Sequence, residues 1–317
     1  MKKIEFLLFC ILFPILITIF PYFVFAQETQ KSPAAYELPA KCGNNQIVSH
    51  FAYTLSYNEK HEQADWVAYI LTRSRVSDKV VSRGNNFRPD PYIKTNSAEL
   101  SDYKSLDNNG IHYDRGHLAP AGDMTWSAKA MDESFYMSNM SPQTSGFNRG
   151  VWKRLEEQLR NWALEYDTLL VATGPVLTDN LPSIGPNKVS IPEYYYKVIV
   201  RWNSTDTTGI GFILPNASSS AHLGTFAVSI DSVEKFTGID FYPSIPDTIE
   251  EKIESTLCLP CWSISKSAGN GYQKEQTANE GNRRQNSVQC SAMTKAGTRC
   301  KRMTKSPNGK CYQHGGD

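Results

Sequence analysis

The chain has 317 residues, of which 33 are Lys or Arg and 32 are Asp or Glu, so that its formal net charge is +1. This balance excludes a strongly basic nucleic-acid coat protein and an acidic disordered protein. Hydrophobic residues make up 40% and charged residues 21% of the chain, as in a globular protein with a sizeable core. The charge is unevenly distributed, however, and three segments differ in character.

The first segment, residues 1–26, has the features of a secretory signal peptide. Two lysines precede an apolar run that ends on small residues before a cleavage point at Gln27. An uncleaved membrane anchor is the alternative, because about 20 apolar residues span a bilayer. Pro14 and Pro21 disfavour a long continuous helix, so we expect cleavage, a secreted or periplasmic product, and no membrane partner afterwards.

The rest of the sequence divides into an acidic body and a basic tail. Residues 27–265 contain 21 basic and 28 acidic residues, a net charge of −7, while residues 266–317 contain ten basic and three acidic residues, a net charge of +7. The predicted parts are an N-terminal extension at 27–45, one large domain at 46–265, a flexible linker at 266–288 and a small module at 289–317. The linker is polar and has no apolar periodicity.

Helix and strand patterns alternate irregularly along the body. The clearest helix covers residues 150–166, where Trp152, Leu155, Leu159 and Trp162 recur on one face. Extended segments are predicted at 46–56, 66–72, 111–117, 168–173, 194–202 and 210–214, a loop at 85–92, and short helices at 127–135 and 229–237. Because the strict β–α–β alternation of a parallel sheet is missing, we expect an α+β fold.

Most of the chemical information lies between Asp114 and Glu156. This stretch contains Asp-Arg-Gly-His at 114–117, Asn139 in a Ser-Asn-Met-Ser-Pro-Gln run, and Asn148 just before the predicted helix that carries Glu156. An imidazole therefore ends an extended segment, and a carboxamide stands at the entrance of the next long helix.

Together, these side-chain types suit phosphodiester hydrolysis. A neutral His, here His117, can take a proton from water near pH 7. The side-chain oxygen of Asn148 is a hard ligand for Mg²⁺, which keeps several waters and needs only one or two protein ligands. Arg115 can form a forked contact with a phosphate and balance the charge that develops there. A general base, a hard metal ion and a guanidinium are the parts that this reaction needs.

Helix geometry constrains the role of Glu156. This residue follows Asn148 by eight positions, about 12 Å along a helix, so we do not expect both side chains to bind one small ion directly. Side chains lean towards the N-terminus of a helix, and the Glu156 carboxylate can therefore reach water around the ion instead.

With this spacing, the sequence resembles the DNA/RNA non-specific endonucleases, which form a ββα-metal (His-Me finger) group. The resemblance begins at Trp-Val-Ala-Tyr (66–69) and Asn-Phe-Arg-Pro-Asp-Pro (86–91) and covers most of residues 46–262. It implies an α+β domain with a central mixed or antiparallel sheet and one Mg²⁺ per active site. It also implies that DNA and RNA are substrates, cleaved to 5′-phosphate products.

The resemblance implies roles for individual residues as well. His117 is expected to be the general base and Asn148 the direct Mg²⁺ ligand. Glu156 and Asn139 are expected to hold the water and hydrogen-bond network around them. The other histidines of the body have no partner pattern that indicates catalysis.

Two arginines are expected to act on the phosphate. Arg115 is the first, and the family places a second one before its Phe-x-x-Asp element at a variable distance. Arg83 is the candidate for this second position, with Arg88 as the alternative. Asp114 is expected to be structural, paired with Arg115 or with a backbone amide.

The cysteines of the body offer more than one pairing. An exported location permits disulfides, and Cys258-Leu-Pro-Cys261 has the spacing of a redox pair but not its strand–helix context. We expect one of these two cysteines to be bridged to Cys42, which would join the ends of the body.

The C-terminal module combines three cysteines and a histidine. Cys290, Cys300, Cys311 and His314 match a tetrahedral structural Zn²⁺ site, and so short a segment needs a staple to fold. Disulfides are the alternative, but three cysteines leave one over, which favours zinc. The lysines and arginines around the module suggest a tether for nucleic acid, and a solvated basic domain without a ligand is the simpler interpretation.

The sequence thus predicts an exported, Mg²⁺-dependent, sugar-non-specific endonuclease. Two other classes stay open: a phosphodiesterase that acts on a small substrate with the same chemistry, and a non-catalytic nucleic-acid-binding protein on a nuclease scaffold. A Gly-rich phosphate loop and a Gly-x-Ser-x-Gly element are both missing from the sequence, which argues against NTP hydrolysis and serine-esterase chemistry.

Overall fold

A computed structural model describes residues 37–104, 106–107, 109–203 and 206–264, with a few positions of the tail (288–289, 291–292, 300 and 303–304). The chain divides into two compact units, residues 1–269 and 270–317. In the second unit, the described positions include one two-stranded antiparallel ribbon. No helix among the described residues has the length and apolar character needed to cross a membrane.

The described part of the first unit contains strands and α-helices joined by turns and loops. The strands are β1 (Gln46–Ser49), β2 (Thr54–Asn58), β3 (Gln63–Thr72), β4 (Tyr113–His117), β5 (Met140–Thr144), β6 (Thr168–Pro175), β7 (Ser183–Ile184), β8 (Val189–Ser190), β9 (Tyr194–Arg201), β10 (Thr208–Pro215) and β11 (Ala227–Val228). The helices are α1 (Arg73–Ser77), α2 (Ala128–Glu133), α3 (Lys153–Tyr166), α4 (Ile230–Thr237) and α5 (Asp247–Ser255). The tail ribbon consists of β12 (Val288–Gln289) and β13 (Met303–Thr304).

Seven strands form one antiparallel sheet in the order β1-β2-β3-β6-β9-β10-β11. The central strands β3, β6 and β9 are buried along nearly their whole length, because both faces of the sheet are covered. The α+β prediction is confirmed, and the sheet is antiparallel rather than mixed.

Alternate residues of the central strands serve two separate cores. On one face, side chains such as Tyr69 pack against the apolar stripe of α3, which includes Leu159 and Trp162. On the opposite face, residues such as Leu170 pack with α4 and α5. These two helices approach β10 closely, since a Cβ added at Gly211 would lie 2.5 Å from the Val233 side chain.

The β4–β5 pair stands outside the large sheet and leads into α3. His117 lies opposite Met140 in this antiparallel pair, and the chain continues from β5 through a π-type turn (Phe147–Trp152) into the helix. Tyr195 of β9 anchors the hairpin by donating a hydrogen bond to the Pro142 carbonyl at 2.8 Å. The result is a β–β–α unit held on the α3 face of the sheet.

Some elements differ from the sequence prediction. The strand expected at 46–56 is two strands, β1 and β2, which pair with each other across a turn. Strand β5 was missed, since Pro142 and polar residues fill it and its strand conformation comes from pairing with β4. Helices α1 and α5 are short and were also missed.

The disulfide prediction is wrong. Cys258 is bonded to Cys261 and not to Cys42. A 3₁₀ turn at Leu259–Cys261 brings the two Cα atoms to 5.3 Å from each other, within the range that a disulfide bridges. The short turn therefore determines the disulfide pairing, and the long loop from Cys42 is not closed by a disulfide.

Candidate active site

A cleft of about 620 Å³ opens where the β4–β5 hairpin meets the start of α3. Its lining is mainly charged or hydrogen-bonding: Arg83, Asp114, Arg115, His117, Asn148, Arg149, Lys153, Glu156 and Arg160, with Phe87 and backbone of residues 120–122. We call this space the cleft and its lining the cleft residues. Five of the six site residues predicted for the body meet here, and Asn139 is the exception.

His117 ends β4 and has an imidazole that is only 7% exposed. Two aromatic rings enclose it, with centroid distances of 5.7 Å to Phe87 and 5.0 Å to Phe135. Burial, and then the positive charges of Arg83 and Arg115, lower the pKa of His117 to about 3. The imidazole is therefore neutral at pH 7, the form that can accept a proton.

The two arginines of the cleft lie over the same aromatic rings. The Arg115 guanidinium is 4.2 Å from the Phe87 ring centroid, and that of Arg83 is 5.5 Å from the Phe135 centroid. Both side chains are exposed, and stacking on a ring restrains a guanidinium without using its donors. Each arginine is thus held beside His117 with its N–H groups available to an anion.

Arg88, the alternative to Arg83, lies outside the cleft. Its guanidinium bonds the Asp132 carboxylate and the backbone carbonyls of Asn86 and Asp132. Its donors are therefore committed to the fold, and of the two candidates only Arg83 faces the cleft.

Asn139, which is expected to hold the water and hydrogen-bond network with Glu156, does not line the cleft. Its side chain is 0% exposed and lies behind the cleft. The amide nitrogen donates to the carbonyls of Ala119 and Ser134, and the amide oxygen accepts from the Ala119 N–H, all at 2.9 Å. Both amide protons are used on the main chain, so Asn139 fixes the segment that follows His117.

Asn148 is oriented by Asp114. The Asn148 side-chain nitrogen donates to the Asp114 carboxylate at 3.0 Å, which turns the amide oxygen to the other side. Arg149 holds the same carboxylate with two hydrogen bonds of 2.9 and 2.7 Å. Burial opposes ionisation of Asp114, but the hydrogen bonds from Arg149 and Asn148 outweigh it, so its pKa is lowered.

The partner predicted for Asp114 is therefore wrong, although its structural role fits. Arg115, its neighbour in β4, stacks on Phe87 instead, because successive residues of a strand point to opposite sides. Asn148 itself is carried by the π-type turn Phe147–Trp152, in which Gly150 leaves helical geometry (φ −106°, ψ −109°). Wide turns of this kind are frequent at functional sites.

Glu156 forms the floor of the cleft together with a cluster of buried charges. Arg160 of α3 donates to Asp123 at 2.8 Å, and the Tyr69 hydroxyl donates to the same carboxylate at 2.9 Å. Lys197 of β9 lies beneath them and is 0% exposed. Burial raises the pKa of Glu156, and the positive charge of Lys197 is the largest effect that lowers it.

Of the residues that form the floor of the cleft, only Glu156 was predicted from the sequence. Lys197 comes from β9, and Asp123 comes from the turn after β4. A signal for Lys197 was present, because a single charge inside the apolar run Tyr194–Val200 is unusual for a buried strand.

The cleft residues fit a hard cation. Asp114 fixes the amide nitrogen of Asn148, so that the amide oxygen is free to act as a ligand. An oxygen donor with a nearby carboxylate that can accept hydrogen bonds from water is the environment that Mg²⁺ prefers. Among the described residues, clusters of three acidic side chains occur elsewhere, at Asp231, Glu234 and Glu254 and at Asp240, Glu250 and Glu254.

The zinc prediction falls almost entirely outside the described residues. Cys290, Cys311 and His314 are not among them, and Cys300 is buried with 5% exposure. The Zn²⁺ site, and the nucleic-acid tether proposed for the surrounding basic residues, stay predictions.

A smaller cavity of about 350 Å³ lies beside Cys42, Asp65 and Asp240. Burial raises the pKa of the Cys42 thiol to about 12, so this sulfur is protonated at neutral pH and is a poor nucleophile. The groups suited to catalysis are therefore in the cleft and not in this cavity.

The fold and the cleft together define a nuclease of the DNA/RNA non-specific endonuclease family. The family model matches residues 32–248, and the chain belongs to this family. The protein is accordingly an endonuclease, and the family is metal-dependent, typically with Mg²⁺.

Several known proteins are similar over most of their length. Nuclease C1 of Cunninghamella echinulata var. echinulata is 33% identical over 235 residues, which are 69% of this chain and 90% of that protein. Human mitochondrial endonuclease G is 32% identical over 226 residues, 67% of this chain and 73% of that protein. A chain in the crystal structure of the EndoG/EndoGI complex superposes with a TM-score of 0.58 at 32% identity, covering 65% of this chain and 89% of that chain.

Proposed function

We propose that this endonuclease hydrolyses the phosphodiester bonds of DNA and RNA in a Mg²⁺-dependent reaction that leaves 5′-phosphate ends. One observation carries the proposal: a single cleft brings a neutral imidazole, an oriented amide oxygen, two ring-stacked arginines and a carboxylate into reach of one phosphate. The β–β–α arrangement of β4, β5 and α3 supports assignment to the ββα-metal group.

His117 serves as the general base. Its Nε2 atom is buried and has no hydrogen-bond partner among the described residues. The pKa of the imidazole is low because Arg83 and Arg115 add repulsion to the effect of burial. A substrate phosphate bound to these arginines offsets that repulsion and raises the basicity of His117 when it is needed.

Arg83 and Arg115 grip the phosphate, and Asn148 holds the cation through its amide oxygen. When bound, Mg²⁺ stabilises negative charge on the phosphate and on the departing oxygen. The arginines share this task, because their N–H groups face the cleft and form charge-assisted hydrogen bonds with a phosphate. Breakage of the bond between phosphorus and the 3′-oxygen leaves a 3′-hydroxyl on the upstream fragment and the phosphate on the 5′ end of the downstream fragment.

Glu156 orients water in its ionised form. A carboxylate at the floor of the cleft accepts hydrogen bonds from water and so fixes the direction of attack. Burial raises the pKa of Glu156 to about 7, although the positive charges of Lys197, Arg160 and Arg83 oppose this rise. Activity is therefore expected to fall as Glu156 becomes protonated at lower pH.

The cleft contacts favour the nucleic-acid backbone over its bases. Arg83, Arg115, Arg149 and Lys153 line the cleft with cationic side chains that can contact phosphates, and such contacts carry no direct sequence information. We expect cleavage of both DNA and RNA with little sequence preference.

We also propose that the protein is exported. The N-terminal lysines and apolar run fit a signal peptide, and the Cys258–Cys261 disulfide fits an oxidising compartment. Sequencing of the N-terminus of the mature protein is expected to begin at Gln27, and recovery of an intact Met1 terminus from membranes would contradict export by cleavage.

The main test is digestion of plasmid DNA and of RNA by the full-length protein, with Mg²⁺ and with EDTA, beside His117→Ala. We expect both polymers to be cut, EDTA to stop cutting, and His117→Ala to lose roughly 10² to 10⁴ in rate. His112→Ala is the matched control, because His112 is an exposed residue just before β4 and its loss should leave the rate unchanged.

Three outcomes would overturn the proposal. Wild-type activity in His117→Ala would exclude the imidazole as base. Hydrolysis of a small aromatic phosphodiester without cleavage of either polymer would indicate a phosphodiesterase. Binding of nucleic acid without cleavage under any metal condition would indicate a non-catalytic binding protein.

A further inference from the structure

Lys197 is a buried lysine in the middle of β9. Its side chain is 0% exposed and points to the α3 face of the sheet, beneath the cleft. Among the described residues, no carboxylate forms an ion pair with its ammonium group. Burial of an ammonium without a paired carboxylate is costly, and lysine is among the residues least often buried. A purely structural site would be filled more favourably by an apolar side chain.

The Lys197 ammonium contacts the main chain next to the catalytic histidine. Its Nζ atom donates to the Leu118 carbonyl at 3.4 Å and to the Thr173 hydroxyl at 3.0 Å, and it lies 4.2 Å from the Trp152 ring centroid. Trp152 in turn donates to the His117 carbonyl at 3.4 Å. Lys197 and the indole on which it rests therefore hold two successive carbonyls, those of His117 and Leu118.

The charge of the same ammonium also acts on Glu156. The charged or titratable groups around this carboxylate come from four elements besides β9: Asp123 from the turn after β4, Arg160 from α3, Arg83 from the loop after α1, and Tyr69 from β3. Asp123 is bonded by both Arg160 and Tyr69. Burial raises the pKa of Glu156, and the positive charge of Lys197 is the largest of the effects that lower it.

We propose that Lys197 is a positioning residue for the nuclease reaction, which holds the main chain after His117 and supplies a buried positive charge beneath the cleft. The proposal rests on the function proposed above, since both residues matter only if the cleft cuts phosphodiesters. It assigns Lys197 no contact with substrate.

The experiment compares Lys197→Met, Lys197→Gln and Lys197→Arg with the wild type in the full-length protein. Met removes both charge and donor, Gln removes the charge but keeps a donor for the Leu118 carbonyl, and Arg keeps the charge. The rate of plasmid cleavage is measured from pH 5.5 to 9.5 at fixed salt and saturating Mg²⁺. Lys129→Met is the matched control, because Lys129 is an exposed residue of α2 that forms its ion pair with Glu133, away from the cleft.

We expect the acid limb of the pH–rate profile to move up by about one pH unit or more in the Met and Gln variants. The rate at pH 7 then falls roughly tenfold and recovers as the pH rises. Lys197→Arg should keep the acid limb of the wild type, and Lys129→Met should keep the whole profile. An unchanged acid limb in Lys197→Gln would overturn the proposal.

Two further measurements separate positioning from folding. When Lys197→Met is introduced into a Glu156→Gln background, it should no longer shift the acid limb, because its target carboxylate is gone. Urea unfolding monitored by circular dichroism at pH 7 and 9, without metal, shows which variants are folded. If both neutral variants unfold, Lys197 is a structural residue and the proposal fails. A wild-type protein without nuclease activity would instead refute the proposed function itself.

Discussion

The two faces of the seven-stranded sheet carry different groups of charged residues. The α3 face bears the cleft, with Arg83, Arg115 and Arg149 around His117. The α4–α5 side bears an acidic group formed by Asp231, Glu234, Asp240, Glu250 and Glu254. The body has a net charge of −7, yet part of its negative charge is concentrated away from the place where a polyanion must bind. Net charge therefore says little about the field that a substrate meets.

Charges on the two sides are also held differently. In the cleft, Asp114 and Asp123 each accept hydrogen bonds from an arginine and a second donor. On the acidic side, burial and then neighbouring carboxylates raise the pKa of Glu254 to about 8, and its Oε1 atom is buried without a hydrogen-bond partner among the described residues. The carboxylates Asp114 and Asp123 thus have hydrogen-bonding partners that stabilise their charge. On the acidic side, repulsion between carboxylates lowers the stability of the fold.

The largest effect is expected from Asn148→Ala. Removal of the oriented amide oxygen weakens Mg²⁺ binding, and we expect cleavage to fall roughly 10³-fold at a fixed Mg²⁺ concentration. The measurement is the rate of plasmid cleavage across an Mg²⁺ titration, with exposed Asn109→Ala as the control. An unchanged Mg²⁺ dependence would show that the ligand lies elsewhere.

The next largest effects are expected at the two ring-stacked arginines. Arg83→Ala and Arg115→Ala each remove a cation that faces the phosphate, and we expect losses of roughly 10² in rate. The slope of binding against salt concentration should also decrease by about one for each. Arg88→Ala, whose guanidinium is committed to Asp132, should change neither quantity. Equal losses at Arg83 and Arg88 would contradict the assignment of the cleft arginine.

A smaller loss is expected from Asp114→Ala, because Asp114 orients the metal ligand without contacting the substrate. Substitutions of such groups lower metal affinity by roughly ten- to a hundredfold. The Mg²⁺ concentration for half-maximal cleavage should rise by that factor while the rate at saturation changes little. Ser145→Ala removes only the hydroxyl that donates to Asp114 at 3.1 Å, and it should change the midpoint much less.

The buried imidazole predicts how stability depends on pH. The pKa of His117 is lowered to about 3 in the folded protein, below its ordinary value, so its contribution to stability is complete above about pH 6.5 and is lost as the pH falls. Between pH 7 and pH 5, wild type should lose about 2 kcal/mol more of its unfolding free energy than His117→Ala. Urea unfolding at both pH values measures this, and His112→Ala should retain the wild-type slope.

The smallest effect is expected on the acidic side. The pKa of Glu254 is raised, so its carboxylate lowers stability progressively as the pH rises from about 4.5 to 8. Glu254→Gln should therefore raise the unfolding free energy at pH 8.5 by about 1 kcal/mol, after allowance for screening by water. The cleavage rate should stay close to that of wild type, and a large loss would show that the two sides are coupled.

Most residues of the candidate site could be predicted from the sequence to lie together, because they are close in the chain. His117, Asn148 and Glu156 come from one continuous β–β–α stretch, and the spacing of their motifs preserves their chemistry. Residues that reach the cleft through contacts distant in sequence could not be predicted. Lys197 reaches the Leu118 carbonyl across 79 positions, and only the pairing of β9 within the sheet places it there.

The sequence does not distinguish between partners where the same residues allow two arrangements. Asn139 was expected to hold the water and hydrogen-bond network with Glu156, and the partners of its amide are backbone groups that only the fold brings near. Asp114 is followed in sequence by Arg115, but its ion pair in the structure is with Arg149. The cysteines of the body could close a long loop or a short turn, and composition alone does not distinguish these.

The wide turn at Phe147–Trp152 lets the packing of α3 and the orientation of Asn148 be set by different residues. The apolar stripe of α3 fixes how the helix rotates against the sheet, whereas the turn fixes where Asn148 points. Deletion of one residue within this turn would change the direction of the Asn148 side chain and leave the stripe of α3 in phase with the core. A single-residue deletion here is therefore expected to abolish cleavage while the packing of the helix is kept.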